Sequence, residues 1–175
     1  EGGGRGGDGG GVSGPASEGE VPGAREGRYA GARWRLIRSP AADGATNMAV
    51  DEAILRAVAA GDVPPTLRLY AWDPPCLSLG RGQPVEDVDR GAVAAAGYGL
   101  VRRPTGGRAI LHIDELTYSV AAPEGEERVA GGVVESYRRL SQGLMRGLAL
   151  LGVREVVAEE RVKSRGAEGP VCFEV

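Results

Sequence analysis

The chain has 175 residues and a formal net charge of −3 at pH 7, and 42% of its residues are hydrophobic. This composition is typical of a soluble globular protein with one hydrophobic core, and the negative charge argues against nucleic acid as a partner. Because the chain has two cysteines and lacks an apolar stretch of about 20 residues, we expect neither a disulfide scaffold nor a membrane span, and we expect a cytoplasmic protein.

Residues 1–31 form a segment of low complexity. The segment holds 13 of the chain's 30 glycines, and its large aliphatic residues are Val12 and Val21. A segment of this kind buries too little apolar surface to offset the entropy that is lost when its backbone is ordered. We therefore expect residues 1–31 to be a disordered, glycine-rich tail and residues 32–175 to hold the folded domain.

From Trp34 onwards the pattern changes to alternating strands and helices. A strand over 34–39 precedes a helix over 47–60, which Thr46 or a neighbour caps and Gly61 ends. The other predicted elements are, in chain order, strands over 66–72 and 76–80, a helix over 85–96, strands over 100–103, 109–112 and 115–121, and a helix over 131–152. Consecutive strands joined by short turns indicate an α+β fold with a mixed, largely antiparallel sheet flanked by helices.

The last predicted helix carries a single apolar stripe. Its members step by three or four residues and are Val133, Tyr137, Leu140, Leu144, Leu148 and Leu151. Such a stripe is typical of a helix that packs on a sheet. Gly152 is a natural stop, because glycine readily adopts the left-handed conformation that ends many helices.

The segment between the strands at 100–103 and 109–112 combines two glycines with several cations. Gly106 and Gly107 allow positive φ and a close approach of a ligand to the backbone amides, which can hold a phosphate or a polarised carbonyl. Arg102 and Arg103 precede the turn and Arg108 follows it, and a guanidinium suits a phosphate or a carboxylate. The residues alone favour the alternative, an ordinary hairpin with solvated arginines.

Several segments resemble the catalytic domain that lipoate–protein ligases and biotin–protein ligases share. The sequence RRPTGGRAILHIDELTYS over 102–119 resembles the arginine-glycine-glycine signature of this family. The segments NMAVDEAIL, PPCLSLGRGQPVEDVD and VVESYRRLSQGLMRGLALLGV are similar, in the same order, to the family's first helix, its next strand, loop and helix, and its long helix. The resemblance covers residues 34–175. It implies that residues 32–175 are the N-terminal part of such a domain, incomplete at the C-terminal end of the sheet.

The resemblance also implies which residues bind an acyl group. They are Arg103, Thr105, Gly106, Gly107, Arg108, Ala109, Ile110, Leu111 and His112. ATP-dependent lipoate ligases usually have a third glycine where Arg108 stands and a glycine-asparagine pair where Glu-Leu-Thr stands, so this chain is more similar to the octanoyltransferases of lipoate assembly. Taken without the resemblance, His112 is more typical of a structural residue than of a catalytic one.

The two cysteines have different surroundings in the sequence. Cys76 lies in a short buried strand and is expected to pack as a small apolar side chain. Cys172 lies in GPVCFEV, where residue type alone slightly favours a packed thiol, whereas the resemblance implies the family's nucleophile. The family also uses a lysine, which the only lysine here, Lys163, does not match. We therefore expect a C-terminally truncated chain that is inactive by itself.

These inferences lead to a predicted octanoyltransferase. Cys172 attacks octanoyl–acyl carrier protein and forms a thioester, which a lysine of a lipoyl domain, such as the glycine-cleavage H protein, then attacks. The donor is already activated, so the reaction requires no cofactor. The alternatives are an ATP-dependent lipoate or biotin ligase, an amidotransferase that moves octanoate between lipoyl domains, and a non-catalytic module that binds a carrier protein.

Overall fold

The computed structural model describes residues 29–153, in which there are six β-strands and three α-helices. The strands are β1 (Arg35–Arg38), β2 (Thr66–Tyr70), β3 (Cys76–Leu79), β4 (Gly99–Arg102), β5 (Ile110–His112) and β6 (Thr117–Ala121). The helices are α1 (Gly44–Ala59), α2 (Arg90–Ala95) and α3 (Val133–Leu150). The predicted tail lies almost wholly outside the described residues, as do Lys163 and Cys172.

The strands form two three-stranded sheets of mixed pairing. In the first sheet, with the order β1-β2-β6, β2 is parallel to β1 and antiparallel to β6. In the second sheet, with the order β4-β3-β5, β3 is parallel to β4 and antiparallel to β5. The predicted α+β class with mixed strand pairing and flanking helices is therefore confirmed, and the strands form two sheets where a single, largely antiparallel sheet was expected.

Helix α1 begins three residues earlier than the sequence pattern suggests. Its N-cap is Asp43, whose carboxylate accepts hydrogen bonds from the backbone N–H of Thr46 at 2.9 Å and from the Thr46 hydroxyl at 2.8 Å. These hydrogen bonds lower the pKa of Asp43. Thr46, the expected cap, is thus a donor to the cap, and the cap chemistry starts the helix at Gly44.

The single helix predicted over 85–96 is two short elements. A 3₁₀ turn, Val85–Asp87, follows Pro84, and Val88 then adopts an extended conformation with φ −122° and ψ 130°. Asp89 accepts a hydrogen bond from the backbone N–H of Ala92 at 2.9 Å and starts α2. A second N-cap inside the predicted helix therefore divides it.

The inner face of the first sheet carries a buried ion pair between β2 and α1. Arg68 is 1% exposed, and its guanidinium donates to Asp51 at 2.9 Å and to the side chain and backbone oxygens of Asn47. Asp51 also accepts hydrogen bonds from the Tyr70 hydroxyl at 2.9 Å and from the Ser119 hydroxyl at 2.7 Å. Burial and the charge of Asp51 raise the pKa of Tyr70. We call these five residues the arginine cluster.

The buried apolar side chains form two groups, and Tyr70 of the arginine cluster belongs to the second. One group is Ile54, Val58 and Ala121, and the other is Tyr70, Trp72 and Cys76. Cys76 is 1% exposed, and a Cβ on Gly44 would lie 2.5 Å from its sulfur. Burial, and to a lesser degree the charge of Asp43, raises the pKa of this thiol. The predicted packing role of Cys76 is thus confirmed.

Helix α3 forms as predicted, but none of its residues is buried among the described residues. Its apolar stripe is exposed to different degrees, with Leu148 at 39%, Leu144 at 42% and Val133 at 73%. No helix within residues 29–153 is both long enough and apolar enough to cross a bilayer.

Candidate functional site

The glycine-rich segment joins two strands that are not paired with each other. Strands β4 and β5 lie on opposite sides of β3, so the connection over 103–109 crosses the end of β3. We call this connection the glycine loop. Because the register pairs Leu79 with Arg102 and Ser78 with Ile110, the loop passes above Gly80. The ordinary hairpin that the residues alone favoured is therefore wrong.

The backbone of the glycine loop packs directly on the backbone that follows β3. A Cβ on Gly80 would lie 1.8 Å from the carbonyl oxygen of Gly107 and 2.7 Å from its carbonyl carbon. Gly107 adopts φ 93°, which an L side chain rarely allows. The backbone N–H of Arg81 donates to the carbonyl of Thr105 at 2.8 Å. Two glycines, one below the loop and one in it, thus make this close approach possible.

Arg103 holds the glycine loop against β3. One terminal nitrogen of its guanidinium donates to the backbone carbonyl of Ser78 at 3.0 Å and to its hydroxyl at 3.1 Å. The other donates to the carbonyls of Gly106 at 2.8 Å and Arg108 at 2.7 Å. The guanidinium that the sequence suggested as an anion fork therefore uses both of its ends to fix the loop.

The other two arginines differ from Arg103. Arg102 donates to the carbonyls of Gly80 at 2.7 Å and Gln83 at 2.6 Å, so it fixes the segment on which the loop rests. Arg108 is exposed, and only its backbone carbonyl takes part in the hydrogen bonds that residues 29–153 make around the loop. Arg102 is exposed as well, but its guanidinium is held by these carbonyls, whereas the guanidinium of Arg108 has no hydrogen bond among residues 29–153.

His112 is the buried end of the predicted acyl-binding segment. It is 6% exposed, its Nε2 lies 2.8 Å from the Ser78 hydroxyl, and its Nδ1 lies 2.5 Å from Glu115. The ring stacks on Trp72 with centroids 4.1 Å apart and planes 10° apart. Both ring nitrogens are therefore engaged within the protein.

The hydrogen bonds continue beyond Glu115 into the first sheet. The same carboxylate oxygen accepts from the Thr117 hydroxyl at 2.6 Å, and Thr117 accepts from the indole N–H of Trp72 at 2.7 Å. Burial alone would raise the pKa of Glu115, but the hydrogen bonds from Thr117 and His112 outweigh it and lower the pKa below its usual value. A series of hydrogen bonds thus links Trp72 to Arg103, and we call its members the histidine relay. In order, they are Trp72, Thr117, Glu115, His112, Ser78 and Arg103.

The structure separates the predicted site residues by exposure. The exposed ones are Thr105, Gly106, Arg108, Ile110 and Leu111, the half-buried ones are Arg103, Gly107 and Ala109, and His112 is buried. All of them lie in or next to the glycine loop, whereas Cys172 lies outside the described residues. Sequence reasoning missed Gly80, Glu115 and Ser78. A glycine directly after a buried strand was the signal for the first, and no local pattern pointed to the other two.

A cavity of about 580 Å³ lies elsewhere, between the end of β6 and the start of α3. Its lining includes Val120, Pro123, Val129 and Leu140 and no residue of the glycine loop. Over residues 29–153, no three His, Cys, Asp or Glu side chains are grouped so that they could hold a metal ion. The glycine loop is therefore the candidate binding site.

Comparison with known proteins identifies relatives that match most of this chain. The octanoyltransferase LipM of Kyrpidia tusciae is 49% identical over 146 residues, which are 81% of this chain and 53% of that protein. The octanoyltransferase LipM of Symbiobacterium thermophilum is 54% identical over 121 residues, 69% of this chain and 43% of that protein. The chain thus spans about half the length of these curated relatives.

Solved structures and a family model agree with these relatives. A bipartite lipoate protein ligase from Thermoplasma acidophilum, described with its E2 lipoyl domain, is 26% identical with a TM-score of 0.57, covering 71% of this chain and 48% of its own. Lipoate-protein ligase A bound with ATP is 32% identical with a TM-score of 0.55, and the match covers 69% of this chain and 47% of that protein. The model of the lipoyl protein ligase A/B catalytic domain matches residues 43–165, most of the chain. The chain therefore belongs to the lipoyl protein ligase A/B catalytic domain family.

Proposed function

We propose that the whole protein is an octanoyltransferase that moves an octanoyl group from octanoyl–acyl carrier protein to a lysine of a lipoyl domain. The observation that carries the proposal is the glycine loop that crosses β3, in a chain that is 49% to 54% identical to proteins named octanoyltransferase LipM. A lipoyl domain as acceptor is supported by the relative from T. acidophilum, whose structure is described with its E2 lipoyl domain. The H protein of glycine cleavage is one lipoyl domain of this kind.

The surface next to the glycine loop suits an acyl chain. Ile110 and Leu111 are 42% and 43% exposed, and Ile113 and Leu116 beyond them are 49% and 70% exposed. An acyl chain that covers part of this surface gains about 0.8 kcal/mol for each CH₂ group that it buries. Arg108 places an always-charged donor beside the loop, where the polarised carbonyl of the acyl group would lie. The loop thus offers apolar surface and a cation to one end of the donor.

The chemistry that we propose uses a thioester at Cys172, an assignment that rests on the resemblance. The thiolate attacks the carbonyl of the donor thioester, its carbon–sulfur bond to the carrier breaks, and the carrier leaves as a thiol. The acceptor amine then attacks the new thioester, an amide bond forms, and the thiol of Cys172 is restored. Because the donor is already activated, neither ATP nor another cofactor is required. The need for a free thiolate agrees with a reducing, cytoplasmic setting.

Mass spectrometry tests this proposal. The whole protein is incubated with octanoyl–acyl carrier protein in the absence of ATP, and the mass of each cysteine-containing peptide is measured. We expect an octanoyl adduct on Cys172 that a lipoyl domain then removes. Cys172→Ala should abolish the adduct, while the matched control Cys76→Ala should retain it and lose stability on the order of 1 kcal/mol. A Cys172→Ala protein with full transfer activity would contradict the covalent mechanism.

An ATP-dependent lipoate ligase is the second candidate, and one observation favours it. Lipoate-protein ligase A, whose structure is described with bound ATP, is 32% identical to this chain. A ligase would transfer free octanoate or lipoate only with ATP and would leave Cys172 unmodified. The third candidate, an amidotransferase, would accept its acyl group from a lipoyl domain and not from the acyl carrier protein. The same assay with these donors therefore separates the three activities.

A further inference from the structure

The direction of each hydrogen bond in the histidine relay can be assigned from its two ends. Trp72 and Arg103 can only donate hydrogen bonds. Thr117 accepts from Trp72, so its own proton is directed to Glu115. Ser78 accepts from Arg103, and the acceptor within reach of its own proton among residues 29–153 is Nε2 of His112.

This assignment leaves one state for His112. Nε2 accepts a hydrogen bond and therefore carries no proton, so the proton of the neutral ring is on Nδ1. Nδ1 faces a carboxylate oxygen of Glu115 at 2.5 Å, which accepts it. A ring protonated on both nitrogens would direct Nε2–H at Ser78 and leave the Ser78 proton without the acceptor that it has now.

We propose that Glu115 is a positioning residue of the acyl-binding site, which holds His112 as the neutral Nδ1–H tautomer and thereby sets the position of the glycine loop. The effect passes from His112 to the Ser78 hydroxyl and from there to Arg103. Arg103 donates to the carbonyls of Gly106 and Arg108 within the loop. Its consequence for acyl transfer rests on the proposed octanoyltransferase function.

The packing around the relay explains why Glu115 is the residue that determines the tautomer of His112. The ring of His112 cannot turn freely, because it stacks on Trp72 with planes 10° apart. Removal of the carboxylate leaves Nδ1 without its acceptor, and the proton can then move to Nε2. Ser78 would accept from both neighbours in that state, and its own proton would lose the acceptor that Nε2 provides.

The experiment uses the fact that the chain contains a single histidine. NMR of protein labelled with ¹⁵N-histidine and ¹⁵N-glycine reports the tautomer of His112 and the backbone amides of Gly106 and Gly107 without any substrate. We expect a protonated Nδ1 and an unprotonated Nε2 in the wild-type protein. In Glu115→Ala we expect the proton to shift toward Nε2 and the glycine amide signals to move. Glu115→Gln keeps an acceptor oxygen and should largely restore the wild-type spectrum.

Asp114→Ala is the matched control, because it removes the same charge from the exposed neighbouring position and should leave all these signals unchanged. In the whole protein, Glu115→Ala should slow acylation of Cys172 roughly 10- to 100-fold, and Glu115→Gln should slow it less. A protonated Nε2 in the wild-type protein would overturn the proposal, whether or not any variant folds. Unchanged histidine and glycine signals in folded Glu115→Ala would do so as well. Expected spectra without any octanoyl transfer would contradict the proposed function and leave the role of Glu115 in place.

Discussion

The arginine cluster and the histidine relay are both polar networks, but they differ in burial and end in different places, because the relay includes Glu115, whose side chain is 35% exposed. The cluster closes on itself, since Arg68 and Asp51 hydrogen-bond to each other and to partners on helix α1 and the first sheet. The relay runs from Trp72, which lies beyond the end of β2, to Arg103, which lies beyond the end of β4, and it ends at an exposed loop. The same kind of interaction thus stabilises the core in one region and positions a candidate binding loop in the other.

The largest expected effect is on stability, in the arginine cluster. Asp51→Ala leaves the guanidinium of Arg68, which is 1% exposed, without its ionic partner. We expect a loss of about 3–5 kcal/mol in the free energy of unfolding, measured with urea. The neighbouring Glu52→Ala is the control, because Glu52 pairs with Arg56 at the surface and should contribute within about 0.5 kcal/mol. Equal losses for the two variants would mean that the cluster does not support the core.

The next effect concerns the segment below the glycine loop. Gly80→Ala places a methyl group 1.8 Å from the carbonyl oxygen of Gly107, so the loop must move. We expect a loss of about 1–3 kcal/mol in the free energy of unfolding, together with slower acylation of Cys172. Gly82→Ala is the matched control, since nothing lies within 4 Å of a Cβ at that position. If both variants acylate at the same rate, the contact between Gly80 and the loop is irrelevant to binding.

A smaller effect is expected from the pH dependence of the relay. Because the pKa of Glu115 is lowered in the folded protein, its ionised form stabilises the fold above the unfolded value of about 4.3, and this contribution is lost as the pH falls through the folded pKa. The side chain is 35% exposed, so we expect about 1 kcal/mol. Unfolding of wild-type and Glu115→Gln protein, followed from neutral pH into acid well below about pH 4.3, measures it. The difference should be largest near neutral pH and shrink in acid, and a difference that grows in acid would be contrary to this account.

Local patterns predicted the elements but not the pairing of the strands. The sequence located all six strands, with alternation as the signal for β1, β2 and β6, and the apolar stripe located α3. The split of the helix predicted over 85–96 depends on the extended backbone of Val88 and the cap at Asp89, which compete with a continuous helix. The hairpin interpretation failed because β3, which comes earlier in the chain, lies between β4 and β5.

The buried polar contacts were the least predictable part of the structure. The alternation of Leu67 and Leu69 with Arg68 and Tyr70 indicates a strand, but it does not tell which face is buried. The structure buries Arg68 and Tyr70, because Asp51 on α1 compensates the charge. Such compensation joins residues far apart in the sequence, so no local pattern can show it.

The central claim is that the glycine loop is the acyl-binding site, and Gly107 tests it most directly. The measurement is the rate at which octanoyl–acyl carrier protein acylates Cys172 in folded wild-type, Gly107→Val and Gly82→Val protein. Gly107 has φ 93°, so valine is strained there and crowds the loop, whereas Gly82 has open space. The account predicts that Gly107→Val abolishes acylation with little loss of folded protein and that Gly82→Val acylates at the wild-type rate. A folded Gly107→Val protein with the wild-type rate would contradict it.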